Sequence, residues 1–523
     1  MPILQAVRVG YQFANGDQLL NGVSCTLTNP RVGLVGRNGA GKSIFASILA
    51  GSCLPTEGVV TANTSIAMYT QSSLGLRHQK RTIAQYLNVD HIIYALEQIE
   101  SGSCDPKWFD VVGEQWEIQE KLNQKLSLHH LPQDLCLPCS SLSGGELAKL
   151  QLWHLFEQNA GLLILDEPSN HLDAQGKQWL NHQISQYQGY ILLISHDRQL
   201  LRSMEQIWEL SHLRLKQYGG NYDFYLEKIS QESAAIERQF SCVQRQQKQL
   251  EMRAQKNKEK FEQRAALGNK TRKKGGQSKL LLNAMLDQAT SSISNRLKNE
   301  AIQRKQLKQK LEQLEMQRER VKPQKIYIPN GDPTSRNLVN IVNGMLSYGS
   351  NQPINLQINS ETKLHLHGKN GSGKSTLLKA ICGEKGLMNG TLQVNTSVCY
   401  LDQHFGRLDH KLTVLEQVLA DSYRILESDA RTLLAGIGFR RESVHLPVGT
   451  LSGGEKMKLA MLIVSHHPAQ PLLLLDEPDN HLDIHSKNLL ADVLNQYRGA
   501  FVLVSHDDEF VHQTGVNCRY RAC

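Results

Sequence analysis

Gly36-Arg37-Asn38-Gly39-Ala40-Gly41-Lys42-Ser43 recurs later in the chain as Gly368-Lys369-Asn370-Gly371-Ser372-Gly373-Lys374-Ser375. Each copy follows a short apolar run, residues 32–35 and 364–366, and precedes a stretch with helical periodicity. Strand, glycine-rich loop and helix in that order are the context a phosphate-binding loop requires. The glycines let consecutive backbone N–H groups curl around the β- and γ-phosphates, and the helix N-terminus adds favourable partial charge. Lys42 and Lys374 supply a point charge, while Ser43 and Ser375 offer hydroxyls to Mg²⁺, which prefers hard oxygen ligands. Thr376 follows Ser375, where the first copy has Ile44.

The repeat extends well beyond the loop. Gln71 follows Lys42 at the same interval at which Gln403 follows Lys374. Leu-Ser-Gly-Gly-Glu occupies 142–146 and again 451–455. Leu-Asp-Glu-Pro occupies 165–168 and 475–478, each time leading into Asn-His-Leu-Asp. Ser-His-Asp closes both sets, and the step from Asp166 to His196 equals that from Asp476 to His506. Aspartates ending apolar strands suit metal binding through the water shell, and Glu167 and Glu477 are placed to polarise a water attacking phosphorus. Gln71 and Gln403 are candidates to sense metal and water, and the two histidines to bond the γ-phosphate. Tyr11 and Tyr348, ahead of the loops in their respective copies, are candidates to stack on adenine, with core packing as the alternative.

The copies differ between glutamine and signature, where the interval 71–143 of the first is longer than 403–452 of the second. The excess includes Trp108 and Trp116 and is read as either a recognition element or a longer surface loop. At 523 residues the chain has room for about three domains. The expected division is a first nucleotide-binding domain at 1–220, a basic helical hairpin at 221–325 and a second nucleotide-binding domain at 326–523. Residues 223–325 hold 24 Lys and Arg against 12 Asp and Glu, more positive than the whole chain at +8, so the basic character belongs to this insert. Ile229, Ile236, Val243 and Leu250 recur every seven residues with Leu226 and Phe240 between, and Leu307, Leu311, Leu314 and Val321 form a second stripe. An antiparallel helix pair is expected, with a tip at 253–279 carrying ten basic residues against two acids and Gly268, Gly275 and Gly276 as turn formers. That density points to nucleic-acid phosphate. No apolar run reaches the roughly 18 residues of a membrane helix, and no secretory signal is evident after Met1, so no membrane insertion and a cytoplasmic address are expected. Ten scattered cysteines read as reduced thiols; Cys136 and Cys139 form a C-x-x-C that would suit a redox pair or half of a zinc site, but with no second pair at metal spacing the plain-thiol reading leads.

With these motifs the chain resembles the ATP-binding cassette superfamily, whose hallmark is Leu-Ser-Gly-Gly-Glu, and its F subfamily in particular. The resemblance covers essentially the whole chain and implies an α/β fold: two P-loop nucleotide-binding domains of the cassette type joined by an α-helical hairpin linker. It implies ATP and Mg²⁺ as ligands, hydrolysis of ATP, and a monomer whose cassettes pair intramolecularly. Two composite sites follow from it. One joins Lys42, Ser43, Asp166, Glu167 and His196 to Ser452, Gly453 and Gly454; the other joins Lys374, Ser375, Asp476, Glu477 and His506 to Ser143, Gly144 and Gly145. The tyrosine-rich entry to the linker, Tyr218 to Tyr225, is similar to the subfamily's junction.

The leading functional expectation is an ATPase that binds the ribosome near its exit site when ATP-bound and directs the basic hairpin at tRNA and rRNA, relieving stalled translation or displacing an antibiotic. DNA maintenance is the second reading, lowered because only the short stretch 507–523 follows His506 and no C-terminal coiled coil is seen. An energy subunit for a separate membrane transporter is the third, and it leaves the hairpin without a role.

Overall fold

The computed structural model describes residues 3–70, 81–170, 172–211, 214–274, 301–314, 337–349, 352–402, 408–421, 426–439, 441–451, 453–465, 472–480 and 482–522. Two compact units result, one formed by Met1–Asp223 with Gln324–Cys523 and the other by Phe224–Pro323. Both repeats therefore belong to the same unit.

Within that unit each repeat builds a mainly parallel sheet. The first has the order 66–69, 162–166, 190–194, 31–36, 206–211 and 214–219, all parallel except the terminal hairpin. The second has 398–401, 472–476, 501–504, 363–367 and 518–521, parallel throughout. Strands covered on both faces need uninterrupted apolar side chains, and Leu162–Asp166 and Leu472–Asp476 are buried at every position. The phosphate-loop strand lies inside both sheets, with a parallel neighbour on each side, so its C-terminal end opens among the C-terminal ends of its neighbours, where parallel sheets bind ligands.

A three-stranded antiparallel sheet flanks each parallel one, formed by Leu4–Gln12 with Gln18–Leu27 and Glu57–Ala62, and by Asn337–Met345 with Ile354–Asn359 and Asn389–Val394. The repeat reaches into irregular backbone: Arg8 and Asn343 both take φ of 50°, at matching bulges beside Gly58 and Gly390. A Cβ at either glycine would lie 2.3 Å from the Arg8 or Asn343 carbonyl oxygen, so only glycine fits. Leu4, Val9, Leu27, Leu34, Phe45, Ile164, Leu192 and Trp208 form one core between the first repeat's sheets and the helix Lys42–Leu49. Val339, Ile358, Leu366, Leu378, Leu474 and Val502 form the counterpart.

The extra segment of the first repeat is folded rather than a plain surface loop. Asp90–Glu100, Pro106–Val112 and Ile118–Leu128 are helices. Ile92, Ala95, Leu96 and Val112 make a small core that Trp108 partly covers, while Trp116 is half exposed.

In the other unit most of a 53-residue helix, Tyr222–Lys274, accompanies a helical segment at 301–314. Phe240 and Val243 pack with Leu307, Leu311 and Leu314, so the two apolar stripes meet as their periodicity requires. Among the described residues the packed contact is confined to these positions, while Ile229, Ile236 and Leu250 are half-buried and Leu226 is exposed. One expectation is corrected. Gly268 lies inside the helix, not in a turn, because strong helix formers before it, Arg264, Ala265, Ala266 and Leu267, propagate helix despite the cost of about 1 kcal/mol for a glycine. Gly275, Gly276 and Val321 lie outside the described residues. Among the described residues no helix is long and apolar enough to cross a membrane.

Candidate functional site: two nucleotide sites at the cassette interface

Each phosphate loop leaves its strand at a glycine that nothing larger can replace. A Cβ on Gly36 would sit 2.4 Å from the Leu210 carbonyl oxygen, and one on Gly368 2.5 Å from that of Ala522. The last glycines, Gly41 at φ 88° and Gly373 at φ 94°, turn the chain into the helices Lys42–Leu49 and Lys374–Cys382. Gly39 and Gly371 share φ of 79°, and Asn38 and Asn370 precede them in the loops. Lys42 Nζ folds over the loop to donate to the carbonyls of Gly36 and Arg37 at 2.8 and 3.2 Å. Lys374 Nζ does the same to Gly368 and Lys369, both at 2.9 Å. Burial lowers the pKa of both ammonium groups, while the nearby Glu167, Asp483 and Asp166, or Glu477, Asp476 and Asp173, favour their charge. The two cradles are thus alike at the level of backbone and lysine.

Parallel pairing sets the carboxylates beside them. Asp166 lies in register with Ile194, and Asp476 with Val504, bringing the strand ends that carry carboxylate and histidine side by side. Burial raises the Asp166 pKa against a hydrogen bond from Ser43. Its Oδ1 is buried without a hydrogen-bond partner among the described residues. A hydroxyl touching a carboxylate with one free buried oxygen is a donor set that fits Mg²⁺. In the second site the matching carboxylate has acquired a partner, since the Tyr400 hydroxyl donates to Asp476 Oδ2 at 3.1 Å.

Glu167 and Glu477 both adopt φ of 50°, a left-handed conformation costing a side-chain-bearing residue roughly 1–2 kcal/mol. Their N–H groups donate to Ile194 and Val504 at 2.8 and 2.9 Å, which holds the turn in place. Such strain at a chemically equipped position is characteristic of functional sites. Burial pushes both carboxyls up to about 7, with Lys42 opposing at Glu167 and neighbouring Asp476 reinforcing at Glu477. His196 Nε2 lies 3.5 Å from Glu167 Oε1, and His506 Nε2 lies 3.6 Å from Glu477 Oε1. Asn480 Nδ2 also donates to Glu477 Oε2. Burial, then the charges of Lys374 and Lys177, push the His506 imidazole down to about 4. A buried carboxyl poised near neutrality beside a histidine is suited to taking a proton from water.

Residues from opposite repeats meet at these sites. The backbone N–H of Asn38, in the first loop, donates to Asp483 Oδ2 at 3.1 Å, and Asp483 ends the Asn-His-Leu-Asp segment of the second repeat. Burial would raise the Asp483 pKa, but hydrogen bonds from Ser486 and Asn38 hold it at about 2. Asp173, the equivalent residue of the first repeat, favours the charged forms of Lys374 and His506. Lys458, on the second signature helix Gly453–Ser465, is lowered by burial and feels Arg37 of the first loop. Arg198 is buried and reaches Glu509 at 2.8 Å, with Asn488 as a further partner.

Gln71, Gln403 and Ser452 lie outside the described residues. Ser143 heads the helix Gly144–Glu157 in a reciprocal cap: its N–H donates to Glu146 Oε2 at 2.8 Å and its Oγ accepts from Glu146 N at 3.3 Å. Gly144 and Gly145 form the first turn, as Gly453 and Gly454 do in the second repeat. Thr376 follows Ser375 in the first turn of its helix. The tyrosines diverge. Tyr11 packs edge-to-face on Phe13 at 5.5 Å against the core, whereas Tyr348 is 68% exposed and lines a cavity of about 410 Å³ with Gly371 and Met388. Sequence reading did not single out Tyr400, Asn480, or the individual roles of Asp173 and Asp483. For the two aspartates the repeated Asn-His-Leu-Asp was a usable signal.

The ABC transporter family profile matches residues 20–170 and 351–480. The chain is 30% identical to the putative ATP-binding protein YdiF of Bacillus subtilis, over 98% of its own length and 79% of that protein. It is 30% identical to ABC transporter F family member 5 of Arabidopsis thaliana, over 92% and 70% respectively. To the energy-dependent translational throttle protein EttA of Mycobacterium tuberculosis it is 28% identical, over 96% and 88%. Among solved structures, the archaeal ribosome recycling factor aABCE1, crystallised with ribosomal stalk protein aP1, superposes with a TM-score of 0.55 at 16% identity, covering 98% of this chain and 86% of that one, which speaks to fold alone. With the duplicated phosphate loops, signatures and Asp-Glu pairs, these matches establish that the chain is an ATP-hydrolysing member of the F subfamily of ATP-binding cassette proteins.

Proposed function

We propose that this ATPase binds the ribosome near its exit site when its cassettes are closed on ATP, and that its basic helical linker then acts on tRNA and rRNA to modulate translation or to protect ribosomes from an antibiotic. In this reading the working parts are cassettes at 1–220 and 326–523 and a linker at 221–325, and the protein acts as a cytoplasmic monomer. The observation that carries it is the union of two equipped ATP sites, joined across the cassettes by the Asn38–Asp483 contact, with a linker whose basic residues outnumber its acids two to one. The relative named a translational throttle and the ribosome recycling factor of the same fold lend support.

The chemistry assigned to the residues follows from their placement. The loops N-terminal to Lys42 and Lys374 hold the triphosphate, with Gly39, Gly41, Asn370, Gly371 and Gly373 presenting backbone N–H groups, while the Asn38 N–H holds Asp483 and Asn38 shapes its loop. Ser43 with Asp166, and Ser375 with Asp476, would hold Mg²⁺ together with Gln71 and Gln403; when bound it neutralises phosphate oxygens. Glu167 and Glu477 orient the attacking water and accept its proton. His196 and His506 hydrogen-bond the terminal phosphate. Ser143, Gly144 and Gly145 cap the second ATP from across the interface, and Ser452, Gly453 and Gly454 cap the first, so ATP stabilises closure and its hydrolysis reverses it. Tyr348, exposed beside its loop, stacks on adenine more readily than Tyr11 can from its packed position.

The test is co-sedimentation of the Glu167→Gln/Glu477→Gln double variant with ribosomes, with and without ATP, across a salt series and against competing DNA. ATP-dependent, salt-sensitive recovery with ribosomes is the expected result. Preferential recovery with DNA, or no ATP dependence, overturns the reading.

A further inference from the structure

Two lysines occupy a place at the cassette interface where a buried ammonium group needs strong partners. Lys177, in the first turn of the helix Ala174–Gln186, lies 2.9 Å from Asp197 Oδ2, and both side chains are largely buried. Lys487, in the matching helix Ile484–Gln496, lies 3.1 Å from Asp507 Oδ2. Each helix directly follows the aspartate that ends an Asn-His-Leu-Asp segment, and each acid partner directly follows a site histidine.

The two lysines are wired differently. Lys177 Nζ also donates to the backbone carbonyl of His506 at 3.4 Å, crossing to the opposite cassette. Lys487 has instead a second acid of its own cassette, Asp479, at 4.0 Å. The first cassette carries Ser169 at that position, with Oγ 3.4 Å from Ser195 Oγ. Desolvation of a charged group costs several kcal/mol unless hydrogen bonds replace the water, and an ammonium has three donors to place. One donor of Lys177 is satisfied by Asp197, which also caps the helix Arg198–Arg202, and another by the His506 carbonyl. Asp173, one helical turn before Lys177, acts electrostatically on the same His506 and on Lys374.

We infer that Lys177 is a positioning residue: it fixes the His506 loop of the second ATP site from the first cassette, so that this site is organised only when the first cassette's helix Ala174–Gln186 is in place. The counterpart Lys487 stands between two acids of its own cassette, Asp507 and Asp479, and acts on the first cassette through its charge, which favours ionised Glu167. The inference rests on reading His506 as the contact to the terminal phosphate.

The experiment measures binding of the fluorescent nucleotides MANT-ATP and MANT-ADP to full-length protein in two backgrounds, Lys42→Ala to disable the first site and Lys374→Ala to disable the second. Lys177→Met is expected to lower the ATP-over-ADP preference five- to tenfold in the Lys42→Ala background and less than twofold in Lys374→Ala, because Asp197 beside His196 is still held by the N–H groups of Gln199 and Leu200, with Lys177→Arg restoring most of it. A merely structural lysine would lower both backgrounds alike, and that result, or no loss in either, overturns the proposal. If Lys177→Met does not fold, Lys177→Gln, which keeps an N–H donor without the charge, is read by the same comparison. His506→Ala in the Lys42→Ala background separates the two claims: an unchanged preference there refutes the phosphate role of His506 itself.

Discussion

The two ATP sites share their backbone and differ in what surrounds it. Loop glycines agree within a few degrees of φ, Glu167 and Glu477 share the same left-handed φ of 50°, and the histidine-to-glutamate distances are 3.5 and 3.6 Å. Around that common frame, Asp166 meets Ser43 where Asp476 is also held by Tyr400, and Met68 stands at the position equivalent to Tyr400. Arg198 after the first site's Ser-His-Asp is buried against the second cassette, whereas its counterpart Asp508 is exposed. Duplication preserved the backbone frame, and divergence acted on the side chains around it.

The largest effect expected is at the feature the sites share. Glu167→Gln and Glu477→Gln should each reduce turnover at their own site by about 10²-fold or more, as loss of a general base does. Because the carboxylate must be ionised to accept a proton and burial sets both carboxyls at about 7, kcat should fall as pH drops below about 7 and level off above it. His506, already neutral with its pKa pushed down to about 4, should contribute nothing to that profile. A plateau extending well into the acid range would show that these carboxyls ionise far lower than their burial implies.

The next effect separates the cassettes. Arg198→Met should destabilise the protein by about 2 kcal/mol in chemical denaturation, less than the breaking of a fully buried pair because Glu509 is about a third exposed and can be rehydrated. Asp508→Asn should change stability by under about 0.5 kcal/mol, as an exposed substitution usually does. Equal losses would remove the asymmetry from the interface.

The smallest effect concerns the metal aspartates. Tyr400→Phe should weaken Mn²⁺ binding at the second site about two- to fivefold, measured by electron paramagnetic resonance with ATP present, since it deletes one hydrogen bond worth about 1 kcal/mol that holds the Asp476 side chain in place. Met68→Tyr should move the first site the opposite way, and no change in either variant would make Tyr400 a packing residue only.

Much of this was legible before any coordinates. Uninterrupted apolar runs such as residues 162–165 ending in Asp-Glu signalled strands, and the glycine loops announced where phosphate goes, because both depend on local backbone chemistry. The long helix was legible from its stripe, but Gly268 misled: a lone glycine marks a turn only where its neighbours do not favour helix. Lys177 and Lys487 were not singled out, since nothing in a single sequence shows that the ammonium groups are buried against acids or that Lys177 meets the other cassette. The strain at Glu167 was equally hidden, being imposed by the Ile194 carbonyl of a neighbouring strand.

The most direct measurement is an experimental structure of the Glu167→Gln/Glu477→Gln variant with ATP and Mg²⁺. Two nucleotides are expected between the cassettes, with the Ser143 hydroxyl within hydrogen-bond reach of the terminal phosphate on the Lys374 side, the Ser452 hydroxyl likewise on the Lys42 side, and Asp483 still on Asn38. Nucleotides held by one cassette each, with both serines remote from the opposing phosphates, would contradict it.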